Sequence, residues 1–207
     1  MNAITIFRKP IPVEISVYCV AVLALCFAME SARRIGVALL FAALHELGHL
    51  AALAACRAGP RRIRVSAAGV RMEAPPGIRL SYAQEIGIAL AGPALSLALA
   101  GACLLLRTGA GAFWDTACWI NLGFGLFNLL PVRQLDGGRA LYAALCARLA
   151  EPTARRIVLA ASLAALFLMT TLLALQMLRH AGTRSLGARS LGTLSLALAV
   201  VYLALCC

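Results

Sequence analysis

The stretch "LLFAALHELGHLAALAAC", residues 39–56, sets two histidines and a glutamate into a run that is otherwise almost all Ala and Leu. An apolar run of that length suits a helix in lipid, which needs about 20 residues at ~1.5 Å each to cross a hydrocarbon core roughly 30 Å thick. Ionisable groups inside such a helix are costly and normally face partners or a water-filled cavity. The fold therefore turns on which solvent this run sees. Of the 207 residues, 62% are hydrophobic and only 13% charged, and the mean hydropathy is +0.90. Soluble domains are roughly 45–50% apolar. The chain is a membrane protein.

Apolar runs near residues 11–29, 35–56, 83–106, 113–130, 157–178 and 191–207 predict an all-α polytopic membrane protein of about six transmembrane helices. Residues 1–207 read as a single domain, with a core at about 35–145 and two additional C-terminal spans over 157–207. Arg8 and Lys9 precede "ISVYCVAVLALCFAM", but no small-x-small cleavage site follows, which favours a retained first span over a signal peptide.

The net charge of +11 comes from 18 Arg and one Lys against 8 acids. Arginines flanking apolar spans follow the positive-inside bias and the pull of anionic headgroups, and no basic stripe interleaved with aromatics is present. Nucleic acid is therefore not an expected partner; the lipid bilayer is. With Arg8, Lys9 and six Arg between 57 and 79 on one side, that side is expected to be the cytoplasm, which also holds the N-terminus. The eight cysteines include no C-x-x-C pair and lie mostly in apolar runs, so they read as small buried hydrophobes rather than zinc ligands.

Residues 57–80, "RAGPRRIRVSAAGVRMEAPPGIRL", form the longest polar interruption in the first half of the chain. Ile63, Val65, Val70 and Met72 alternate with Arg62, Arg64, Arg71 and Glu73 across Gly69. That alternation suits a short membrane-surface β-hairpin whose edge could pair with an extended peptide; a solvated cytoplasmic loop fits equally well.

His45, Glu46 and His49 spell H-E-x-x-H. On a helix, residues four apart stack on one face, so both imidazoles can grip one metal ion while Glu46, turned about 100° from His45, reaches a water on it. The competing reading is a histidine pair satisfied by carbonyls within a bundle. Three ionisable residues in five positions of a lipid-bound helix weigh against that reading.

Catalytic zinc takes three protein ligands and leaves a fourth position open. His180, next to Arg179 in an expected external loop, is badly placed to be the third. Most carboxylates fall near span ends. Asp136 lies in "FNLLPVRQLDGGRAL", where Pro131 breaks helix and Gly137 and Gly138 let the chain turn before helix resumes at about Arg139. Asp136 could point inward to a metal or serve as an ordinary helix N-cap.

HELGH in the second run and "NLLPVRQLDGG" at the end of the fourth resemble the two signatures of the site-2 protease family, the intramembrane zinc metalloproteases of peptidase family M50. The resemblance implies one Zn2+ between the second and fourth helices, with His45, His49 and Asp136 as ligands and Glu46 as the catalytic base. It extends to Asn128 and Pro131 upstream of the L-D-G, expected to handle the substrate backbone, and to the Gly92-Pro93 pair in "IALAGPALSLALA". Asn128 read as a residue alone is equally an amide bonding across helices, and Gly92-Pro93, Gly87, Ala91 and Ser96 read as a close-packing face with a kink.

The layout is most similar to the stage IV sporulation protein FB branch, which implies a pro-sigma factor as substrate. Members of that branch often carry a C-terminal CBS domain, which does not follow the sixth run here. The expected activity is hydrolysis of peptide bonds in membrane-associated or membrane-spanning regulatory proteins at a multi-pass site opening to the cytoplasm, with inhibitory membrane partners as an added expectation. A zinc-binding membrane transporter and a non-catalytic membrane scaffold are the alternatives.

Overall fold

The computed structural model describes residues 3–7, 13–16, 31–58, 62–66, 69–73, 80–106 and 112–181. Among the described residues five helices carry the fold: α1 (Ala32–Ala55), α2 (Tyr82–Leu106), α3 (Ala112–Asn128), α4 (Asp136–Cys146) and α5 (Glu151–Ala181). Along α1 the buried residues Val37, Phe41, His45, His49 and Leu53 recur every four positions, one stripe of the helix surface. At one end of that stripe Val37 and Phe41 join Cys103 of α2 and Ala117 of α3 in an apolar cluster. At the other end Leu53 packs with Ala58 and Ile88. The two histidines sit between these clusters, walled by apolar packing above and below.

Local sequence explains the helix ends. Ser81 and Gln84 form a capping box before α2: the Gln84 N–H donates to Ser81 Oγ at 3.3 Å and the Ser81 N–H to Gln84 Oε1 at 2.9 Å. α1 stops in a Schellman turn, in which the Ala58 N–H donates to the Leu53 carbonyl at 3.1 Å and the Arg57 N–H to that of Ala54 at 2.9 Å. Arg57 occupies the left-handed position, φ 55°. A side chain there costs about 1 kcal/mol relative to glycine. Arg57→Gly is therefore expected to raise the melting temperature of the detergent-solubilised protein by a few degrees; a lower melting temperature would contradict this account of the turn.

Three helices among the described residues are long and apolar enough to cross a membrane, within Ala32–Ala55, Tyr82–Leu106 and Glu151–Leu172. Their outer faces carry exposed Leu39, Leu40, Leu105, Leu163 and Phe167, which lipid would solvate and water would not. The run at 113–130 is a shorter helix than expected: α3 has 17 residues, about 26 Å at ~1.5 Å per residue, and ends at Asn128 because Pro131 follows. The sixth run, 191–207, lies outside the described residues. Arg179 and His180, expected in a loop, belong to the last turn of α5.

The first run departs from expectation. Val13–Ser16 is a strand, so no helix begins at residue 11; residues 17–30 lie outside the described set. The alternating, β-branched "VEIS" and the facing "AITIF" suit pairing. Strands β1 (Ala3–Phe7), β2 (Val13–Ser16), β3 (Arg62–Ser66) and β4 (Gly69–Glu73) form one sheet in that order. β1–β2 and β3–β4 are antiparallel, with Ser66 opposite Gly69, and β2 lies parallel to β3 with Ile15 opposite Val65. A lone two-stranded hairpin is marginal in water, and β2 gives β3 a second partner. β1 and β4 are the sheet's edges.

Candidate metal centre

The buried stripe of α1 faces the stripe Ile88, Gly92, Ser96 of α2, again spaced by four. Each imidazole is clamped at Nδ1 by this second helix. His49 Nδ1 lies 2.7 Å from the Ile88 carbonyl oxygen, and His45 Nδ1 lies 2.9 Å from Ser96 Oγ. A carbonyl only accepts, so His49 carries its proton on Nδ1 and turns the Nε2 lone pair inward.

Asp136 arrives from the other side. The segment Leu129–Leu135 turns sharply, its Val132 N–H donating to the Leu130 carbonyl at 2.7 Å and its Leu135 N–H to that of Val132 at 2.8 Å. It delivers Asp136 as the first residue of α4; Leu135, not Asp136, is the N-cap, and no side chain caps the helix. The N-cap reading of Asp136 thus falls, and its carboxylate is free of that duty. Helix resumes at Asp136 rather than at Arg139 because Gly137 and Gly138 are themselves helical. A Cβ on Gly137 would strike the Leu129 carbonyl, and one on Gly138 the Val132 carbonyl, so only glycine lets the turn fold back so closely.

Asp136 Oδ2 lies 3.1 Å from His45 Nε2 and 3.1 Å from His49 Nε2, and the two nitrogens are 3.3 Å apart. Donors about 2.0–2.2 Å from a tetrahedral zinc stand roughly 3.3–3.6 Å from one another. The three atoms therefore already hold nearly the spacing of three corners around one ion. Two neutral imidazole lone pairs and a carboxylate oxygen repel at this range unless a cation lies among them. His45, His49 and Asp136 are all buried and form a group able to hold a metal ion. Asp136 turns one carboxylate oxygen, Oδ2, to both imidazoles. Its second oxygen, Oδ1, has the half-exposed Arg139 guanidinium at 3.6 Å.

Glu46, half-buried one residue from His45, lines a cavity of about 450 Å³ with His49, Ile88, Ala89 and Gly138. Arg133, Arg139, Arg155, Glu85 and Glu151 line the same cavity, so this side of the centre is polar while Phe124, its ring 6.4 Å from that of His45, closes the other. Asn128 donates from Nδ2 to the Phe124 carbonyl of its own helix at 3.0 Å rather than across helices. The Pro131 carbonyl accepts from Ser162 Oγ at 3.1 Å.

Two contributors escaped the sequence reading. Ser96, read as a packing residue, is fully buried and holds His45. Gly92, read the same way, leaves the space in which both imidazole tips sit: a Cβ there would strike His49 Nε2 and come within 2.7 Å of His45 Nε2. The signal was the spacing, since a serine four residues after a Gly-Pro glycine falls on the same helix face.

A family model described as peptidase family M50 matches residues 105–172, which include Asp136 and not the H-E-x-x-H. The structure is similar to that of a site-2 protease from Methanocaldococcus jannaschii, with a TM-score of 0.60 and 21% sequence identity over 96% of this chain and 93% of that one. No curated protein sequence matches the chain. The fold is similar to that of this archaeal protease.

Proposed function

We propose that this protein is an intramembrane zinc metalloendopeptidase that cuts membrane-associated or membrane-spanning regulatory proteins. The observation that carries the reading is the meeting of His45 Nε2, His49 Nε2 and Asp136 Oδ2 at 3.1–3.3 Å beside a polar cavity that also presents Glu46. The family match over residues 105–172 supports it. A zinc ion in that cradle would lower the pKa of a bound water to about 7 and polarise a peptide carbonyl.

The chain's own groups do the rest. Ile88 and Ser96 fix the two imidazole rings so that both Nε2 lone pairs point at one spot. Glu46 accepts the proton of the attacking water and passes it to the departing amine. The apolar clusters on either side restrict water to the cavity, which strengthens every charge interaction within it. The arginine-lined cavity is the water entrance and opens to the cytoplasmic face. Because a helical substrate hides its carbonyls in i to i+4 bonds, it must unwind locally before one can reach the centre.

A pro-sigma factor of sporulation is the narrower substrate reading, and a single-span anti-sigma factor represents the broader class. Co-expression with candidates of both kinds tests them. The wild type is expected to cut at least one, and His45→Ala, or removal of zinc by a chelator, to stop the cut. Cleavage that survives His45→Ala would sink the peptidase reading; cleavage of anti-sigma factors alone would remove the sporulation substrate.

A further inference from the structure

The irregular segment that delivers Asp136 poses an accounting problem. Between the end of α3 and the start of α4 its backbone leaves helix, and in a bilayer protein such groups need internal partners. One side chain on a separate helix supplies two of them. Ser162 of α5, only 5% exposed, accepts the Arg133 N–H at 3.0 Å and shares its own proton between the Pro131 carbonyl at 3.1 Å and the Val158 carbonyl at 2.7 Å. Pro131 has no N–H to anchor itself. Ser162 therefore grips the turn on both sides of Val132, the residue whose carbonyl lies against Gly138.

α5 is suited to this role. Ala154, Val158 and Ser162 are its buried stripe, spaced by four, at 0%, 1% and 5% exposure. The rest of its described surface is largely exposed and apolar, with Leu159, Leu163 and Phe167 outward, and among the described residues Ser162 is the side chain of α5 that hydrogen-bonds the turn. Only two residues, Gln134 and Leu135, separate Arg133 from Asp136, too short a tether for the two to move independently.

We infer that Ser162 is a positioning residue of the metal centre, holding the Pro131–Arg133 turn so that Asp136 Oδ2 meets the two imidazoles; the inference rests on the metal-centre reading above. α5 thereby becomes part of the centre although it contributes no ligand. The role belongs to the hydroxyl, so threonine should keep it and alanine should not.

The test is zinc affinity of the purified full chain in detergent, measured by competition with a chromogenic chelator, with His45→Ala as the metal-blind control. Ser162→Ala is expected to bind zinc about tenfold more weakly, in the range typical for the loss of a group that orients a ligand. Ser162→Thr is expected to bind as the wild type does, and excess zinc to restore cleavage by Ser162→Ala without a change in KM. Should the alanine protein fail to fold, Ser162→Cys, close in size and a weak hydrogen bonder, takes its place with the same expectation. Wild-type affinity in Ser162→Ala, or an equal loss in Ser162→Thr, overturns the positioning role alone. A wild type that binds zinc no better than His45→Ala overturns the metal centre and this inference together.

Discussion

The Gly92→Ala protein is expected to fold and to lose its zinc. A single methyl group is added, yet its position is decided by the α2 backbone: the new Cβ would overlap His49 Nε2 and lie 2.7 Å from His45 Nε2. The rings cannot simply swing aside. His49 Nδ1 is bonded to the Ile88 carbonyl at 2.7 Å and His45 Nδ1 to Ser96 Oγ at 2.9 Å, one helical turn to either side of Gly92. Relief requires either that both imidazoles leave their Nδ1 partners or that α1 and α2 separate, and each breaks the three-atom cradle. Alanine meanwhile favours helix over glycine by about 1 kcal/mol, which offsets part of the strain in the metal-free protein. Zinc affinity should fall about a hundredfold or more, beyond what loss of one orienting group causes, with the melting temperature of the metal-free protein changed by only a few degrees. Zinc bound at wild-type affinity by Gly92→Ala would show that the imidazole tips do not point at α2.

What could be read from sequence divides along a physical line. The α1 stripe was legible because helix periodicity is local: His45 and His49 share a face wherever the rest of the chain goes. The turn before Asp136 was legible in outline because Pro131 restricts its own backbone and Gly137 and Gly138 leave theirs free to fold closely. Whether Asp136 capped the helix or turned to the histidines was not, since both begin with an aspartate before two glycines; the answer came from its place as the first helical residue, 91 positions from His45 in sequence but 3.1 Å in space. Ser96 and Ser162 belong to the same class. A hydroxyl in an apolar helix names no partner, and each found its partner only through helix packing. Val13–Ser16 was misread for the opposite reason: four alternating residues at the head of a long apolar run are outvoted in any window wide enough to detect a span.

Replacing Glu46 by glutamine is expected to leave one zinc per chain and to lower cleavage about 10²–10⁴-fold. Glutamine keeps the length and nearly the volume of glutamate, so the cavity wall and the neighbouring His45 should be undisturbed. Glu46 is not among the three convergent donors, so the metal cradle of His45, His49 and Asp136 stays intact. What is lost is basicity: an amide oxygen cannot take the proton of the attacking water, nor can it return one to the amine that leaves. The magnitude follows from that loss alone, because the three ligands and the cavity still position substrate. Glu46→Asp, which keeps the carboxylate but withdraws it by one methylene, should fall between the two. The comparison also separates peptidase from carrier. A protein that moved zinc by handing it among His45, His49 and Asp136 would bind and transport normally with glutamine at position 46, whereas a peptidase keeps its metal and stops cutting. Cleavage by Glu46→Gln at the wild-type rate would remove Glu46 as the base, and zinc transport by that protein alongside absent cleavage in the wild type would replace the peptidase with a carrier.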